Sequence, residues 1–266
     1  MVYVVKVGGK VIDGNLHGVL ESVSREARHS QIVLVHGGGN VVTEYCRRVG
    51  VEPKFVVSPE GIRSRYTDKD ELEVFIMVMA GKLNKEMVSG LIARGVKAVG
   101  TSGVDGPTLI AERKKRIVVV DERGRKRVID GGYTGSIIGV NTKFIEWLLS
   151  SGYTIVMTPV AIDGEGNMLN VDADQVACKV ATSIKADKLM ILTDVPGVLL
   201  GDEVIGNVKV SEIEDILPKV GAGMNRKLME AVNALAGGVK EVVISSGLAE
   251  DPLKRALDGK GTVLTP

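Results

Sequence analysis

The chain has 266 residues, with 34 Lys plus Arg against 33 Asp plus Glu and a formal net charge of +1. That balance, with only three Phe, five Tyr and one Trp, argues against a protein that coats nucleic acid or anionic membrane by bulk charge, and against a base-stacking platform. Its 44% hydrophobic and 25% charged residues are ordinary for a globular protein and exclude disordered or collagen-like composition, whereas 33 glycines exceed the usual share of about 7% and point to several tight loops.

Cys46 and Cys178 are far apart and form no CxxC pair, so no zinc site or disulfide framework follows. The predicted setting is the cytoplasm. Met1 leads straight into VYVVKVGG without a basic leader, and no apolar run approaches the roughly 18 residues of a membrane span.

Short apolar runs recur along the chain: VYVVKV (2–7), QIVLVH (31–36), VKAVG (96–100), YTIVMTPV (153–160), KLMILT (188–193) and EVVIS (241–245). Each is followed by a glycine-rich or polar turn and then a helical pattern. Near-continuous apolar strands alternating with helices predict an α/β fold, with a buried, mostly parallel sheet covered on both faces.

The first turn, KVGGK (6–10), sets Lys6 one residue ahead of a glycine pair. The second is HGGGN (36–40) and the third GTSGVDG (100–106). Glycine at the carboxyl end of a parallel strand lets backbone N–H groups approach an anion, and a following helix adds its positive end. One such turn alone is weak evidence; an ordinary tight turn is the commoner explanation. Neither GxxxxGK[ST] nor GxGxxG occurs, so the P-loop and dinucleotide schemes lack their motifs.

Asp68 and Glu71 form a capping-box start to a helix in which Leu72, Phe75, Ile76, Met79, Leu83, Met87 and Leu91 recur at spacings of three and four. Its segment VFIMVMA (74–80) is apolar all round. Such a helix is buried on more than one side, either within one chain or at a homodimer interface.

Residues 112–129, ERKKRIVVVDERGRKRVI, read as a β-hairpin. Between 112 and 127 stand eight basic residues (Arg113, Lys114, Lys115, Arg116, Arg123, Arg125, Lys126 and Arg127) and three acidic ones. The local balance of +5 leaves −4 for the rest. The hairpin is either a charge-protected edge or a docking surface for an acidic partner. Further on, NVDADQVA (170–177) places Asp174 near a helix start, TDVPGV (193–198) follows a strand, and GAGMNRK (221–227) places Lys227 at a helix opening. Taken singly, Asp174 reads as an N-cap carboxylate and Lys227 as a surface lysine.

KVGG, VHGGGN, GIR, MAGKLNKE, NVDADQVA, TDVPGV and GMNRK occur in this order over essentially the whole chain, and together they resemble the amino-acid kinase family, in its N-acetylglutamate kinase branch. The resemblance implies an open αβα sandwich of the carbamate kinase-like type, with an acceptor-binding part over about 1–165 and an ATP-binding part over about 166–266. It implies transfer of the ATP γ-phosphoryl group to a side-chain carboxylate. Lys6 and Lys227 would stabilise the transferring group and Asp174 would hold both ammonium groups. Gly8 and Gly9 would offer N–H groups to the phosphates, and Gly38 and Gly39 would do so on the acceptor side. Arg63 would clamp the α-carboxylate and Asn170 would bind the main-chain part of the acceptor. Thr193, Asp194 and Gly197 would line the nucleotide pocket, and Mg²⁺ would sit on the phosphates with no protein metal cluster.

Three departures from the free-substrate enzymes stand out. The arginine loop reads SPEGIRSRYTDKDELEV (58–74) rather than a shorter GLRVT, the basic hairpin is present, and GMNRK replaces GMIPK. These features resemble the archaeal kinases of lysine and arginine biosynthesis, which act on 2-aminoadipate or glutamate borne by the small acidic carrier protein LysW. The hairpin would then dock the carrier, with Arg65 and Lys69 adding to it. A kinase of free N-acetylglutamate and a catalytically silent nucleotide-binding regulator are the alternatives.

Overall fold

The computed structural model describes residues 1–266. β1 (Val2–Val7) leads through Gly8 into α1 (Gly9–Glu26), and β2 (Gln31–His36) leads through two glycines into α2 (Gly39–Arg48). The hairpin β3 (Lys54–Val57) and β4 (Arg63–Tyr66) precedes a long helical run, in which α3 (Lys69–Ile76) passes through a π-helical stretch (Met77–Leu83) into α4 (Asn84–Ile92). Next come β5 (Ala98–Ser102), β6 (Leu109–Arg113), β7 (Arg116–Val120), β8 (Lys126–Asp130), β9 (Gly135–Val140) and α5 (Thr142–Ser150). They are followed by β10 (Thr154–Thr158), β11 (Val160–Ile162), β12 (Met168–Asn170) and α6 (Ala173–Ser183). The last part holds β13 (Lys188–Thr193), β14 (Leu199–Leu200), β15 (Glu203–Val204), β16 (Asn207–Lys209), α7 (Ile213–Ile216), α8 (Ala222–Ala236), β17 (Glu241–Ser246), α9 (Pro252–Leu257) and β18 (Thr262–Thr265).

The main sheet has the order β16-β18-β17-β13-β1-β2-β10-β5. All its pairings are parallel except β17 with β18. The early strands lie on one side of the β1–β13 junction and the late strands on the other. Five of the six apolar runs read from sequence are its central strands and the sixth, VKAVG, gives the edge strand β5; their β-branched residues suit a sheet covered on both faces. On β1, Val4 packs into the core formed with α6 and α8, whereas Tyr3, Val5 and Val7 pack into the core formed with α1 and the α3–α4 run. Successive side chains of a strand point to opposite faces, so Lys6 shares the α6–α8 side with Val4.

The apolar stretch predicted over 153–160 divides at Pro159, which has no N–H for a ladder. β10 stays in the main sheet, while β11 crosses to a second sheet of order β12-β11-β6-β9. Asp68 caps α3, accepting from the Glu71 N–H at 3.0 Å. One face of the helical run is buried through Leu72, Phe75, Met79, Leu83, Met87 and Leu91, while Met77 and Ile92 are 60% and 55% exposed. Burial within one chain therefore accounts for most of its apolar residues, but not for those two. The basic hairpin forms as β7–β8, from Arg116 opposite Asp130 to Val120 opposite Lys126.

Candidate functional site

The carboxyl ends of β1, β2, β10 and β13 point to one edge of the sheet, where an open α/β fold binds ligands. Lys6, the penultimate residue of β1, is 6% exposed. Its Nζ lies 2.8 Å from Asp174 Oδ1. The Nζ of Lys227, from the second turn of α8, lies 2.9 Å from the other oxygen. One buried carboxylate thus holds two ammonium groups. Burial works against the Asp174 charge, but the two lysines outweigh it and hold the carboxyl far below its usual range. Burial also opposes the Lys6 charge, and contact with Asp174 outweighs it, so Lys6 titrates above its ordinary value. Lys227 shifts the other way: burial and the neighbouring Lys6 charge lower it despite Asp174.

Asp174 is not the N-cap. That place belongs to Asp172, which accepts from Asp174 N and Gln175 N at 2.9 and 3.2 Å. Asp172 also pairs with Arg226, so consecutive cations of α8 meet two carboxylates at the start of α6. Lys227 does not open its helix either, because α8 begins at Ala222 and takes Gly223 into its first turn.

The first two glycine turns meet here. The expectation that Gly8 offers its N–H to phosphate is corrected: that N–H donates to Leu192 O at 3.1 Å and extends the sheet. Gly9 is the first residue of α1 and Gly39 the first of α2, and the first N–H groups of a helix have no partner within it. A Cβ on Gly9 would lie 2.5 Å from Asn40 Oδ1 and 3.4 Å from Gly38 N, so the two helix starts abut closely and a larger residue would displace the Asn40 side chain. Gly38 has φ of 142°, and a Cβ there would lie 2.2 Å from Leu83 Cδ1. The third turn, by contrast, packs against β11: the Gly103 N–H donates to Val160 O at 2.6 Å.

A cleft of about 560 Å³ runs from Gly37–Gly39 past the β3–β4 hairpin to the start of α6. Arg63 and Asn170 both line it. The Arg63 guanidinium carbon lies 3.7 Å from the centre of the Phe55 ring, and Asn170 Nδ2 donates to Thr67 Oγ1 at 2.8 Å. Stacking of this kind fixes the plane of a guanidinium and leaves its N–H edge free.

Arg65 does not sit on the docking surface expected from sequence. Its side chain is 9% exposed and paired with the fully buried Glu71, and Nη2 donates to Gly39 O at 2.6 Å. Lys69 is exposed.

On the other side of the triad, Thr193 is buried and donates to Asp194 Oδ1 at 3.1 Å, and Asp194 Oδ2 accepts from Lys10 Nζ at 2.7 Å. Gly197 allows close packing on β18: a Cβ there would lie 2.9 Å from Thr262 Oγ1.

The eight basic residues of the hairpin divide into two groups. Arg113 is tied inward, to Gly132 O at 2.6 Å and against the Tyr133 ring. Arg125 and Arg127 share the Asp121 carboxylate at 3.2 and 3.0 Å. Lys114, Lys115, Arg116, Arg123 and Lys126 are exposed without an ion pair, whereas Arg125 and Arg127 are exposed but paired. Between this hairpin and β3–β4 lies a second hollow of about 580 Å³, lined by Val56, Ile117, Val119, Lys114 and Lys126 among others. It adjoins the first cleft, and Ser58, Glu60, Ser64, Arg65, Lys114 and Thr134 line both.

Sequence reasoning missed Lys10, Phe55, Asp172, Arg226 and Glu230. Asp172 and Arg226 stand inside motifs it did read, NVDAD and GMNRK, but position in a motif does not tell which of two carboxylates or two cations turns inward. Glu230 lines the cleft, and burial raises its pKa. Its neighbour Cys178 is a buried thiol, pushed up to about 12 by burial and the Glu230 charge, and so is not a thiolate nucleophile.

Two clustered ammonium groups beside unpaired backbone N–H groups can hold two anions close together and stabilise charge passing between them. Comparison with known proteins agrees with such chemistry. The model of the "Amino acid kinase family" matches residues 1–246. The chain is 49% identical over 263 residues to the "[LysW]-aminoadipate/[LysW]-glutamate kinase" of Metallosphaera sedula, covering 98% of this chain and 99% of that one. It is 50% identical over 262 residues to the protein of the same name from Sulfurisphaera tokodaii, with the same coverage. Among solved structures, N-acetylglutamate synthase from Neisseria gonorrhoeae, complexed with coenzyme A and N-acetyl-glutamate, superposes with a TM-score of 0.83 at 24% identity, over all of this chain and 59% of that one. That last likeness is one of fold.

Proposed function

The chain belongs to the amino acid kinase family, whose kinases use ATP, and from that premise we propose that it phosphorylates the side-chain carboxylate of 2-aminoadipate or glutamate carried on the acidic protein LysW. The product is an acyl phosphate, as required for lysine or arginine biosynthesis. The observation that carries this reading is that the cleft holding Arg63 adjoins the hollow beneath the basic hairpin, with six lining residues in common, in a chain about half identical to kinases named for LysW-bound substrates. A free amino acid needs only the cleft, whereas one borne by a protein needs a path outward.

In this reading, Arg63 binds the terminal α-carboxylate by its free edge and Asn170 the adjoining main-chain atoms. The N–H groups of Gly38 and Gly39 hold the side-chain carboxylate. A carboxylate oxygen attacks the γ-phosphorus, the bond to the bridging oxygen breaks, and ADP leaves. No proton transfer and no covalent enzyme intermediate are needed, so positioning and charge stabilisation supply the catalysis. Lys6 and Lys227 face the transferring group, and Asp174 keeps the two like charges together. Gly9, Thr193, Asp194 and Gly197 line the nucleotide side, and Lys6 and Lys227 reach its phosphates. Mg²⁺, held by the phosphates rather than by protein ligands, would supply charge neutralisation there.

The acceptor part covers about 1–165 and the nucleotide part about 166–266. The exposed cations Lys114, Lys115, Arg116, Arg123 and Lys126 steer the acidic carrier, with Arg113, Arg125 and Arg127 supporting the hairpin. A homodimer covering Met77 and Ile92 is part of the same reading, as is a cytoplasmic location; no helix is long and apolar enough to cross a membrane.

The test is phosphoryl transfer from ATP to LysW-aminoadipate, LysW-glutamate and N-acetylglutamate, assayed side by side. Transfer to either carrier-bound acceptor is expected. Turnover of N-acetylglutamate alone would replace this reading with that of a free-substrate kinase. ATP binding without transfer to any of the three would mark a regulator.

A further inference from the structure

His36 ends β2, just before the glycines that line the acceptor side of the cleft. It is fully buried, and burial lowers its pKa to about 4, so the ring is neutral at neutral pH. Its Nδ1 lies 2.9 Å from Gly37 O and its Nε2 lies 2.9 Å from Thr158 Oγ1. A carbonyl oxygen only accepts, so the ring proton sits on Nδ1, and Nε2 accepts from the Thr158 hydroxyl. Met79 O stands farther from that hydroxyl, at 3.4 Å. Thr158 Oγ1 accepts in turn from Asn84 Nδ2 at 3.0 Å. The same Nδ2 donates to Val156 O at 2.8 Å, which fixes the way the amide faces. Asn84 Oδ1 accepts from Lys85 Nζ at 3.0 Å. Gly100, from the third glycine turn, makes room for this amide, because a Cβ there would collide with Asn84 Oδ1. The direction of each bond between Asn84 and Gly37 O thus follows from the two carbonyl groups, Val156 and Gly37, that can only accept.

Resting on the function proposed above, we infer that His36 is a positioning residue: its ring holds the Gly37–Gly38 peptide so that the Gly38 N–H is presented to the acceptor carboxylate, with Thr158 and Asn84 fixing the ring. In a planar trans peptide the C=O and N–H point in opposite directions. Anchoring Gly37 O on the ring therefore aims the Gly38 N–H the other way, and that N–H has no partner within the chain. The preceding peptide is held by the sheet, through Gly37 N–H and Val7 O at 2.8 Å. The Gly37–Gly38 peptide lies between two glycines, which have no side chain to resist rotation, and the His36 ring is what anchors it. Turned over, it would set a carbonyl oxygen against an anion in place of an N–H.

The experiment measures kcat/KM for LysW-aminoadipate and LysW-glutamate, KM for ATP and thermal stability. Wild-type protein, His36→Gln, His36→Asn, Thr158→Val and Thr158→Ser are compared. The Asn amide puts an N–H donor near the place of Nδ1, whereas that of Gln reaches only the place of Nε2. His36→Gln and Thr158→Val are expected to lower kcat/KM for the acceptors roughly 10- to 100-fold, the worth of one hydrogen bond to a charged group, while KM for ATP holds. His36→Asn and Thr158→Ser should recover most of that loss. The ¹⁵N shifts of His36 should show the proton on Nδ1 in the wild-type protein, a readout that needs no turnover. If His36→Gln folds poorly, the Thr158 pair decides. Acceptor constants unchanged in folded variants, losses that track melting temperature alike in all four, or a ring proton on Nε2 each overturn the inference and leave the proposed function standing. No transfer to either acceptor by the wild-type protein overturns both.

Discussion

Lys6 and Asp174, from the first strand and the sixth α-helix, meet at 2.8 Å with side chains 7% and 8% exposed. A buried ion pair is costly to break, because removing one partner leaves the other charged and unpaired; typical losses are about 3–5 kcal/mol. Asp174→Asn keeps the shape and removes the charge. It is expected to lower kcat by roughly 100- to 1000-fold and to lower the melting temperature. Steady-state kinetics with thermal unfolding checks both, and a variant with wild-type kcat would remove Asp174 from the mechanism.

The two lysines titrate apart. Lys227 is lowered by burial and by the Lys6 charge, whereas Lys6 is raised by Asp174 despite burial. A lysine that must be protonated works below its pKa, so kcat should fall as pH rises through a value below the ordinary lysine range, with Lys227 losing its proton first. Lys227→Arg keeps its charge throughout that range. Residual activity of that variant should have no alkaline limb there, as a kcat–pH profile would show.

His36 is fully buried at the end of β2, with Nε2 2.9 Å from Thr158 Oγ1 and Nδ1 2.9 Å from Gly37 O. Burial lowers its pKa to about 4, although the Gly37 contact opposes the shift. The unfolded chain binds this proton more readily than the folded one. The stability it contributes is therefore full above the unfolded value of about 6.5 and is lost as pH falls from there toward 4, an amount of about 3 kcal/mol. Denaturant unfolding at pH 7.5, 5.5 and 4.5 should show the loss, and His36→Gln should reduce the slope over that window.

At Gly38 both conformation and space demand glycine, with φ of 142° and Leu83 Cδ1 2.2 Å from where a Cβ would be. Gly38→Ala is expected to lower stability by about 1–3 kcal/mol and to raise KM for the acceptor more than KM for ATP. Equal changes in the two constants would deny the turn a place at the acceptor.

Reversing the exposed hairpin charges with Lys114→Glu, Arg116→Glu and Lys126→Glu should raise KM for the carrier-bound acceptor and leave KM for ATP alone. The wild-type KM for the carrier should rise with ionic strength, because exposed charges are screened beyond about 10 Å at 0.1 M salt. The variant should lose that salt dependence. A salt-independent wild-type KM would count against electrostatic docking.

The sequence by itself determined the sheet and the anion-binding turns. Runs such as VYVVKV and KLMILT can be stable only as strands covered on both faces, and glycines after β1 and β2 mark where the backbone must approach a partner. It also determined the Asp68 cap and the β7–β8 hairpin, both of which depend on neighbours close in the chain. Tertiary structure decided which polar side chain does what. Asp172 and Asp174 are equally plausible caps until Lys6, from the far end of the chain, takes one of them. Arg63 and Arg65 look alike in GIRSRY and share one face of β4 against Phe55, yet one stacks at the cleft and the other is buried on Glu71, because what each guanidinium meets is supplied by other elements that the strand pattern does not show. Gly8, read as a phosphate donor, gives its N–H to β13, a strand that becomes its neighbour only when the sheet assembles. Periodicity follows from bonds within a few residues, whereas the pairing of charges follows from burial, and burial is a property of the whole fold.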